Sequence, residues 1–347
     1  MMRREGLLRL VVLFAGALLV MALVAVGFAN AGEEKVGTTA ASFLTLGAGP
    51  RALAMGGATL GLGRDVAGSV WNPAALGWVE ETEIVVSHSG LENQSFQEWL
   101  GLGGRIGKSG TRWGIQGTYQ GDGSFEGRDA SNNPTGSFSV SSFAIGGHMA
   151  QQFSPNVTVG AGFKTVSEKL GDVSGIGTTF DAGLALNYGI VGLGVAAQNL
   201  GGQMAYSGAS YDFPTNVGAG LAISDPRTGL SLAVDANFPS AYYSDVRAGL
   251  EYRWNDMLAL RTGYRHELEA TDDPLTGPTF GVGAGANGFW LDYGYLLAGS
   301  GSNGQHRVAL TFVPGRWKAG DDPFGKTSFD DKPRVNQPSA SPAKGKK

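Results

Sequence analysis

The stretch 244–267 reads SDVRAGLEYRWNDMLALRTGYRHE, and it decides the fold class. Apolar residues occupy every second position from Val246 to Trp254, with polar residues or glycine between them. The alternation resumes from Leu258 to Tyr264, after the turn pair Asn255-Asp256. A period of two residues is the mark of a β-strand with one apolar and one polar face. The stretch therefore predicts two antiparallel strands joined by a tight turn.

The same alternation recurs along most of the chain, and we predict about fourteen strands. Their expected spans are 82–89, 96–107, 111–119, 137–151, 156–167, 177–188, 190–199, 214–223, 229–238, 244–254, 257–267, 277–287, 288–298 and 304–313. Links after even-numbered strands are tight, whereas the links at 120–136, 200–213 and 268–276 are longer. An even strand number with short turns at one end and longer loops at the other is the pattern of outer-membrane barrels.

A soluble sandwich is the competing interpretation, since it also alternates apolar and polar residues. The segments run to about 9–12 residues, which is the length of a tilted membrane-spanning strand, and soluble strands are shorter. Aromatic residues such as Tyr188, Tyr252 and Phe312 lie near segment ends on the apolar face, as in an aromatic girdle. We therefore predict an all-β, antiparallel transmembrane β-barrel, in contact with outer-membrane lipid, in a diderm (Gram-negative-type) bacterium.

Composition narrows the function classes. The formal net charge is -4, which gives no basic surface for nucleic acid. There is no cysteine, and the four histidines lie on different predicted strands without metal-ligand spacing. The run GLGGRIGKSG at 101–110 lacks the glycine spacing of a phosphate-binding loop and precedes a strand instead of a helix. We expect no catalytic residues, no metal, no cofactor and no enzyme activity.

The two ends of the chain differ from the alternating region. Residues 1–31 combine early arginines, an uncharged apolar run and Ala29-Asn30-Ala31, which predicts a signal peptide, with a retained membrane anchor as the alternative. Residues 32–81 do not alternate and are too apolar to be a free tail, so we expect an N-terminal plug inside the barrel at 82–313. Small inward residues such as Gly183, Gly194 and Gly220 leave room for it. The segment 314–347, rich in Pro, Lys, Asp, Ser and Gly, predicts a disordered periplasmic tail.

Two short motifs in the expected plug carry a resemblance to a known family. GPRALAMGGA at 49–58 and WNPAAL at 71–76 resemble the N-terminal signature of the PorV/PorQ family, roughly GARALAMGGA followed by YWNPAGL. Pro50 and Arg64 depart from that pattern. The resemblance extends through Phe312 and places the chain in the wider group of FadL-like fourteen-stranded barrels, in which the Asn-Pro-Ala segment belongs to the plug. The plug-motif residues are then Arg51, Met55, Gly56, Gly57, Trp71, Asn72, Pro73 and Ala74.

Candidate contact residues fall into two groups. The first group consists of charged side chains predicted to face the lumen, either as a polar path or as a network that holds wall to plug: Arg105, Asp181, Asp235, Arg247, Glu251, Arg253, Arg261, Arg265 and Asp292. The second group consists of aromatic and methionine side chains in the long loops, suited to a partner or a lipophilic ligand: Phe125, Met204, Tyr206, Tyr211 and Phe213.

Two functions follow from the resemblance. PorV-like proteins act in type IX secretion, where the barrel holds the C-terminal signal domain of a secreted protein, so secreted proteins or secretion-complex subunits are the first expected partners. FadL-like proteins carry hydrophobic small molecules inward, and such molecules are the alternative. The secretion function requires an exposed apolar patch formed by the loops at 120–136 and 200–213. The channel function requires an aliphatic pocket reaching residues 71–76.

Overall fold

The computed structural model of the protein describes residues 36–255, 257–268, 276–297 and 304–316. The predicted signal peptide lies outside the described residues, as does all of the predicted tail beyond Arg316. Within the described ranges, no helix is both long enough and apolar enough to cross a membrane.

Fourteen antiparallel strands form a closed β-barrel, as the sequence predicted. The described residues contain sixteen strands: β1 (Glu83–Gly90), β2 (Phe96–Arg105), β3 (Thr111–Arg128), β4 (Pro134–Ser154), β5 (Val157–Leu170), β6 (Val173–Tyr188), β7 (Val191–Leu200), β8 (Gln203–Tyr206), β9 (Ala209–Asp212), β10 (Asn216–Asp225), β11 (Leu230–Pro239), β12 (Asp245–Trp254), β13 (Leu258–Glu267), β14 (Gly277–Ala286), β15 (Phe289–Leu296) and β16 (Gln305–Phe312). β8 and β9 form a small hairpin that joins β6 at one position, and β1 pairs with β16 to close the ring.

The two ends of the barrel differ in their connections. Short links join β2 to β3, β4 to β5, β6 to β7, β10 to β11, β12 to β13 and β14 to β15, and we call this end the turn end. At the β14–β15 turn both Asn287 and Gly288 have positive φ, the conformation of a tight hairpin turn that follows the strand twist. The opposite end, which we call the loop end, carries the longer connections.

The wall is apolar outside and polar inside. In β12 the outward Leu250 is 38% exposed, whereas its neighbour Glu251 is 1% exposed and points into the barrel. The same arrangement holds in β4, where Ile145 and Met149 are exposed and His148 is buried. A soluble sandwich would bury the apolar face instead. This barrel is therefore built to meet lipid with its outer face.

Four strands, β3 to β6, extend beyond their predicted ends at the loop end. The expected loop at 120–136 is mostly strand, because β3 continues to Arg128 and β4 begins at Pro134. A bulge between Gly121 and Ser124 shifts the register by one residue. The alternation of apolar residues stops there, and serines replace the apolar residues, although the backbone pairing continues. β3 to β6 consequently project beyond the rest of the wall at the loop end.

Residues 40–79, which we call the inner segment, lie inside the ring of strands. They contain a short helix, α1 (Pro50–Ala54), and 3-10 turns at Ser42–Leu46, Ala67–Val70 and Pro73–Trp78. Asn72 begins the last turn, and its side-chain oxygen accepts a hydrogen bond from the Ala74 amide, with Pro73 at the first helical position. Most of the segment is buried, and its partners are the inward residues of the wall.

Candidate functional site

Glycines of the wall let the backbone of the inner segment approach closely. A Cβ atom on Gly194 would lie 1.8 Å from the Leu60 carbonyl oxygen, and one on Gly183 would lie 2.0 Å from the Asn72 side-chain oxygen. Only glycine fits at such distances. The small inward residues therefore accommodate the inner segment itself. Among the described residues they do not surround the aliphatic pocket that the channel function led us to expect beside residues 71–76.

Asp235 fixes the middle of the inner segment. This β11 carboxylate is fully buried, and its Oδ2 accepts hydrogen bonds from the amides of Thr59 and Leu60, at 2.6 and 2.8 Å. Those amides have no partner within a regular helix or strand, so the carboxylate satisfies two otherwise unpaired donors. Asp235 was predicted as a lumen charge, and in the structure its carboxylate holds the backbone of the inner segment at Thr59 and Leu60.

A row of alternating charges joins α1 to the wall. Glu251 accepts two hydrogen bonds of 2.9 Å from Arg51 and one of 2.6 Å from Arg261. Arg51 also contacts Asp65 at 3.1 Å, and Arg261 contacts Asp292 at 2.6 Å. Burial alone would lower the pKa of the Arg51 guanidinium, but the adjacent Glu251 carboxylate raises it above its ordinary value. The row thus ties the plug-motif arginine to Glu251 of the wall and, through it, to Arg261 and Asp292.

A second charged layer lies nearer the loop end. Asp245, at the start of β12, is 1% exposed and accepts hydrogen bonds from Arg247 at 2.5 and 2.8 Å and from Arg265 at 3.2 Å. The Arg247 guanidinium also lies 5.5 Å from the centre of the Trp71 ring, in cation–π geometry. The sequence argument identified both arginines but missed Asp245, which lies at a strand end.

A third buried cluster lies on β4 to β7. Lys164 donates to Asp181 at 2.9 Å and to the Asn199 side chain at 2.6 Å, while His148 lies 3.2 Å from Asp181. Ser69 of the inner segment lies 3.4 Å from the other ring nitrogen of His148. The order Ser–His–Asp resembles a catalytic triad. However, the Ser69 hydroxyl donates to the Val66 carbonyl oxygen at 2.7 Å and is buried, so here the three side chains join segment to wall.

Two of the predicted positions were wrong. Met204 and Phe213 are not exposed loop contacts: both are buried with Phe43 of the inner segment, which they cover at the loop end. The cause is that the sequence does not show what lies across the barrel from a loop. Arg105 lies on the inward face of β2, as predicted, but at the turn-end rim, where its half-exposed guanidinium contacts Glu80 and the β2–β3 turn.

Other predicted positions keep partly exposed side chains. Arg253 is half-exposed, contacts Glu251 at 3.4 Å and lies over the ring of Trp290. Tyr206 packs edge-on against Tyr211 and donates its hydroxyl to Glu168 at 2.5 Å. Burial and this hydrogen bond to a carboxylate raise the pKa of Tyr206. Rotation of either ring would break the edge-on packing of Tyr206 against Tyr211.

An apolar surface, which we call the mouth patch, lies on the projecting part of the wall. It consists of Phe125, Phe138, Leu170 and Val173, each 41–46% exposed. Strand register places these side chains on the face that continues the inner surface of the barrel, and Phe125 and Phe138 stack at 5.6 Å. Tyr211 adds another half-exposed ring at the same end. Exposed apolar clusters of this kind mark ligand or partner contacts.

Two cavities adjoin the inner segment. The larger, of about 1010 Å³, lies toward the turn end and is lined by apolar residues such as Met55 and Trp290 as well as by charged ones such as Arg51. The smaller, of about 40 Å³, lies toward the loop end and is lined by residues of β12 to β16 and the inner segment. Trp71 lines both. Its ring thus separates the two spaces.

Comparison with solved structures identifies barrels of the same fold. The chain resembles the Ralstonia pickettii toluene transporter TbuX (16% identity, TM-score 0.59, 77% of this chain and 98% of that one). It also resembles the Pseudomonas putida toluene transporter TodX (15%, TM-score 0.57, 77% and 97%) and a Pseudomonas aeruginosa FadL homologue (12%, TM-score 0.53, 76% and 98%). No family model matches the sequence, and no curated protein matches it.

These comparisons confirm the predicted outer-membrane barrel of the FadL-like type at the level of the fold. Membership of the PorV/PorQ family is not shown by them.

Proposed function

We propose that the protein is an outer-membrane channel that takes up hydrophobic small molecules. The mouth patch is the observation that carries the proposal. Its side chains face the barrel axis, where a small ligand entering the lumen must pass, and not outward, where lipid would cover them. Solved barrels of the same fold are described as toluene transporters, which supports the same substrate class. The proposal includes no catalytic step and no cofactor.

The inner segment would act as the plug of this channel. Phe43 lies beneath Met204 and Phe213 at the loop end, and Trp71 separates the two cavities. A molecule the size of toluene does not fit a space of about 40 Å³. Passage therefore requires displacement of the inner segment, and the charged contacts of Arg51 set the cost of that displacement.

Uptake in a diderm host that lacks its own hydrocarbon channels tests the proposal. Cells expressing the full chain should accumulate radiolabelled toluene faster than cells with an empty vector. Phe138→Ser should lower the initial rate about three- to tenfold at low toluene concentration, because it removes part of an aromatic capture surface. Phe153→Ser is the matched control, since Phe153 lies on the same strand at the turn end and is 70% exposed. Equal rates with and without the protein would refute the proposal.

Type IX secretion, expected from the PorV/PorQ resemblance, receives no support from the comparisons. The exposed apolar patch that secretion requires is only partly present: Phe125 and Tyr211 are exposed at the loop end, but Met204 and Phe213 are buried. Purification of the protein in mild detergent from its native membrane distinguishes the two functions. Secreted proteins that share a C-terminal domain would favour secretion, whereas bound hydrocarbon without such proteins would favour uptake.

A further inference from the structure

The small cavity at the loop end has an unusual charge balance. Three arginines line it, Arg247, Arg265 and Arg307, together with the amide of Gln305. Its remaining lining residues, within the described ranges, include no aspartate or glutamate. Asp245 and Glu267, which contact Arg247 and Arg265 at 2.5 to 3.2 Å, lie outside this lining, so among the described residues the three arginines exceed the carboxylates that contact them by one positive charge.

Arg307 lacks a carboxylate partner among the described residues, which sets it apart from the other two arginines. Arg247 and Arg265 both contact Asp245. The Arg307 side chain, by contrast, is buried, and within the described ranges it donates only to the carbonyl oxygens of Leu46 and Gly49, at 3.2 and 3.4 Å. Its Nε has no hydrogen-bond partner in the described part of the chain. A guanidinium offers five donors, so much of its capacity is unused.

A buried cation in this position needs a negative partner. Removing a guanidinium from water costs several kcal/mol unless an anion compensates its charge. Two backbone carbonyls at long distances supply only partial compensation, and a water molecule would satisfy Nε without neutralising the charge. The cavity in front of Arg307 is large enough for more than a water molecule, which needs about 10–15 Å³.

We propose that this cavity binds a compact monovalent anion, coordinated by Arg307 Nε and the Gln305 amide, with Arg307 supplying the positive charge that the carboxylates beside Arg247 and Arg265 leave unbalanced. Chloride, formate and acetate have the required size and charge, and a larger anion such as gluconate does not. The same chemistry describes a free ion and the carboxylate head of an amphipathic molecule. Because Arg307 also holds the carbonyls of Leu46 and Gly49, the bound anion would stabilise the inner segment in its place.

Halide NMR on the full-length protein in a nonionic detergent, with gluconate as background anion, tests the site. We expect saturable broadening of the chloride resonance. Arg307→Gln should weaken binding at least about tenfold, because it removes a charge-assisted hydrogen bond. Arg227→Gln is the matched control: Arg227 lies at the β10–β11 turn with its side chain 87% exposed, so chloride binding should be unchanged.

A second variant keeps the test informative if Arg307→Gln does not fold. Gln305→Glu places a carboxylate beside Arg307 on the same face of β16, where it would occupy the anion position. We expect this variant to fold, as judged by heat-modifiable migration on gels, and to lose chloride broadening. Absence of saturable broadening in the unchanged protein, or broadening that persists in both variants, would overturn the proposal.

Competition separates the two sources of the anion. Acetate should displace chloride and octanoate should not if the site admits only a compact free ion, whereas octanoate should compete at lower concentration than acetate if the site holds the head of an amphipathic ligand. Either result leaves the anion site intact. Because the measurement does not involve toluene uptake, its failure would not affect the proposed channel function.

Discussion

Replacing Glu251 by glutamine should release the inner segment from the wall. The amide has nearly the same shape as the carboxylate, so the change removes charge without leaving a cavity. In the unchanged protein Glu251 is 1% exposed and accepts hydrogen bonds from Arg51 and Arg261. Breaking a buried ion pair by removing one partner costs about 3–5 kcal/mol.

The lower end of that range applies here, because each arginine keeps another carboxylate. Arg51 still contacts Asp65, and Arg261 still contacts Asp292. We therefore expect a loss of about 3 kcal/mol in the free energy of unfolding. Urea unfolding in detergent, followed by tryptophan fluorescence, measures it.

A control and a double-mutant cycle make the result specific. Glu98→Gln breaks an exposed contact with His88 and should cost less than about 1 kcal/mol. Arg51→Gln combined with Glu251→Gln should be more stable than the sum of the single changes by about 2 kcal/mol, because the two groups are in direct contact. If Glu251→Gln unfolds within about 0.5 kcal/mol of the unchanged protein, the charge row does not hold the inner segment, and the reasoning fails.

Two further changes test the packing of the inner segment. Gly194→Ala places a Cβ 1.8 Å from the Leu60 carbonyl oxygen, so hydrogen exchange of the amides at 58–63 should accelerate. Gly117→Ala is the control and should leave exchange unchanged, because the nearest atom to its Cβ would be 4.0 Å away. Equal exchange in both variants would contradict the close approach. Trp71→Ala should join the two cavities and raise single-channel conductance in planar bilayers. The change should also lower the free energy of unfolding by about 3–5 kcal/mol. Unchanged conductance in a folded variant would show that Trp71 does not separate the two cavities.

The strands were predictable because lipid imposes a pattern on sequence. Every outward position from Val246 to Trp254 must be apolar, and the turn at Asn287-Gly288 needs residues that tolerate positive φ. Where the wall leaves the lipid, this constraint disappears. The extension of β3 to Arg128 is held by backbone pairing with β4 between largely exposed residues, so neither face had to be apolar, and the alternation that marks the other strands is absent there.

The partners of the lumen charges could not be predicted for a different reason. Arg51 and Glu251 are 200 residues apart in sequence, and their contact depends on the position of α1 against β12. Composition and alternation place Glu251 in the lumen, but its pairing depends on the course of a segment without periodicity. Asp245 was missed because it precedes Val246, where the alternation of apolar residues begins. The lack of a carboxylate partner for Arg307 among the described residues appears only when the neighbouring charges are placed in three dimensions.

The distribution of contacts indicates which half of the inner segment yields first. Residues 51–60 combine charged contacts, through the Glu251 and Asp235 carboxylates, with close packing against Gly194, whereas the contacts of residues 72–76 are neutral hydrogen bonds and close packing against Gly183. Ion pairs weaken strongly when water enters, because the dielectric constant around them rises. Neutral packing against glycine does not depend on dielectric constant in this way. Opening that admits water to the large cavity, which Arg51 lines, would therefore weaken the contacts of the Arg51 half before those of the Asn72 half.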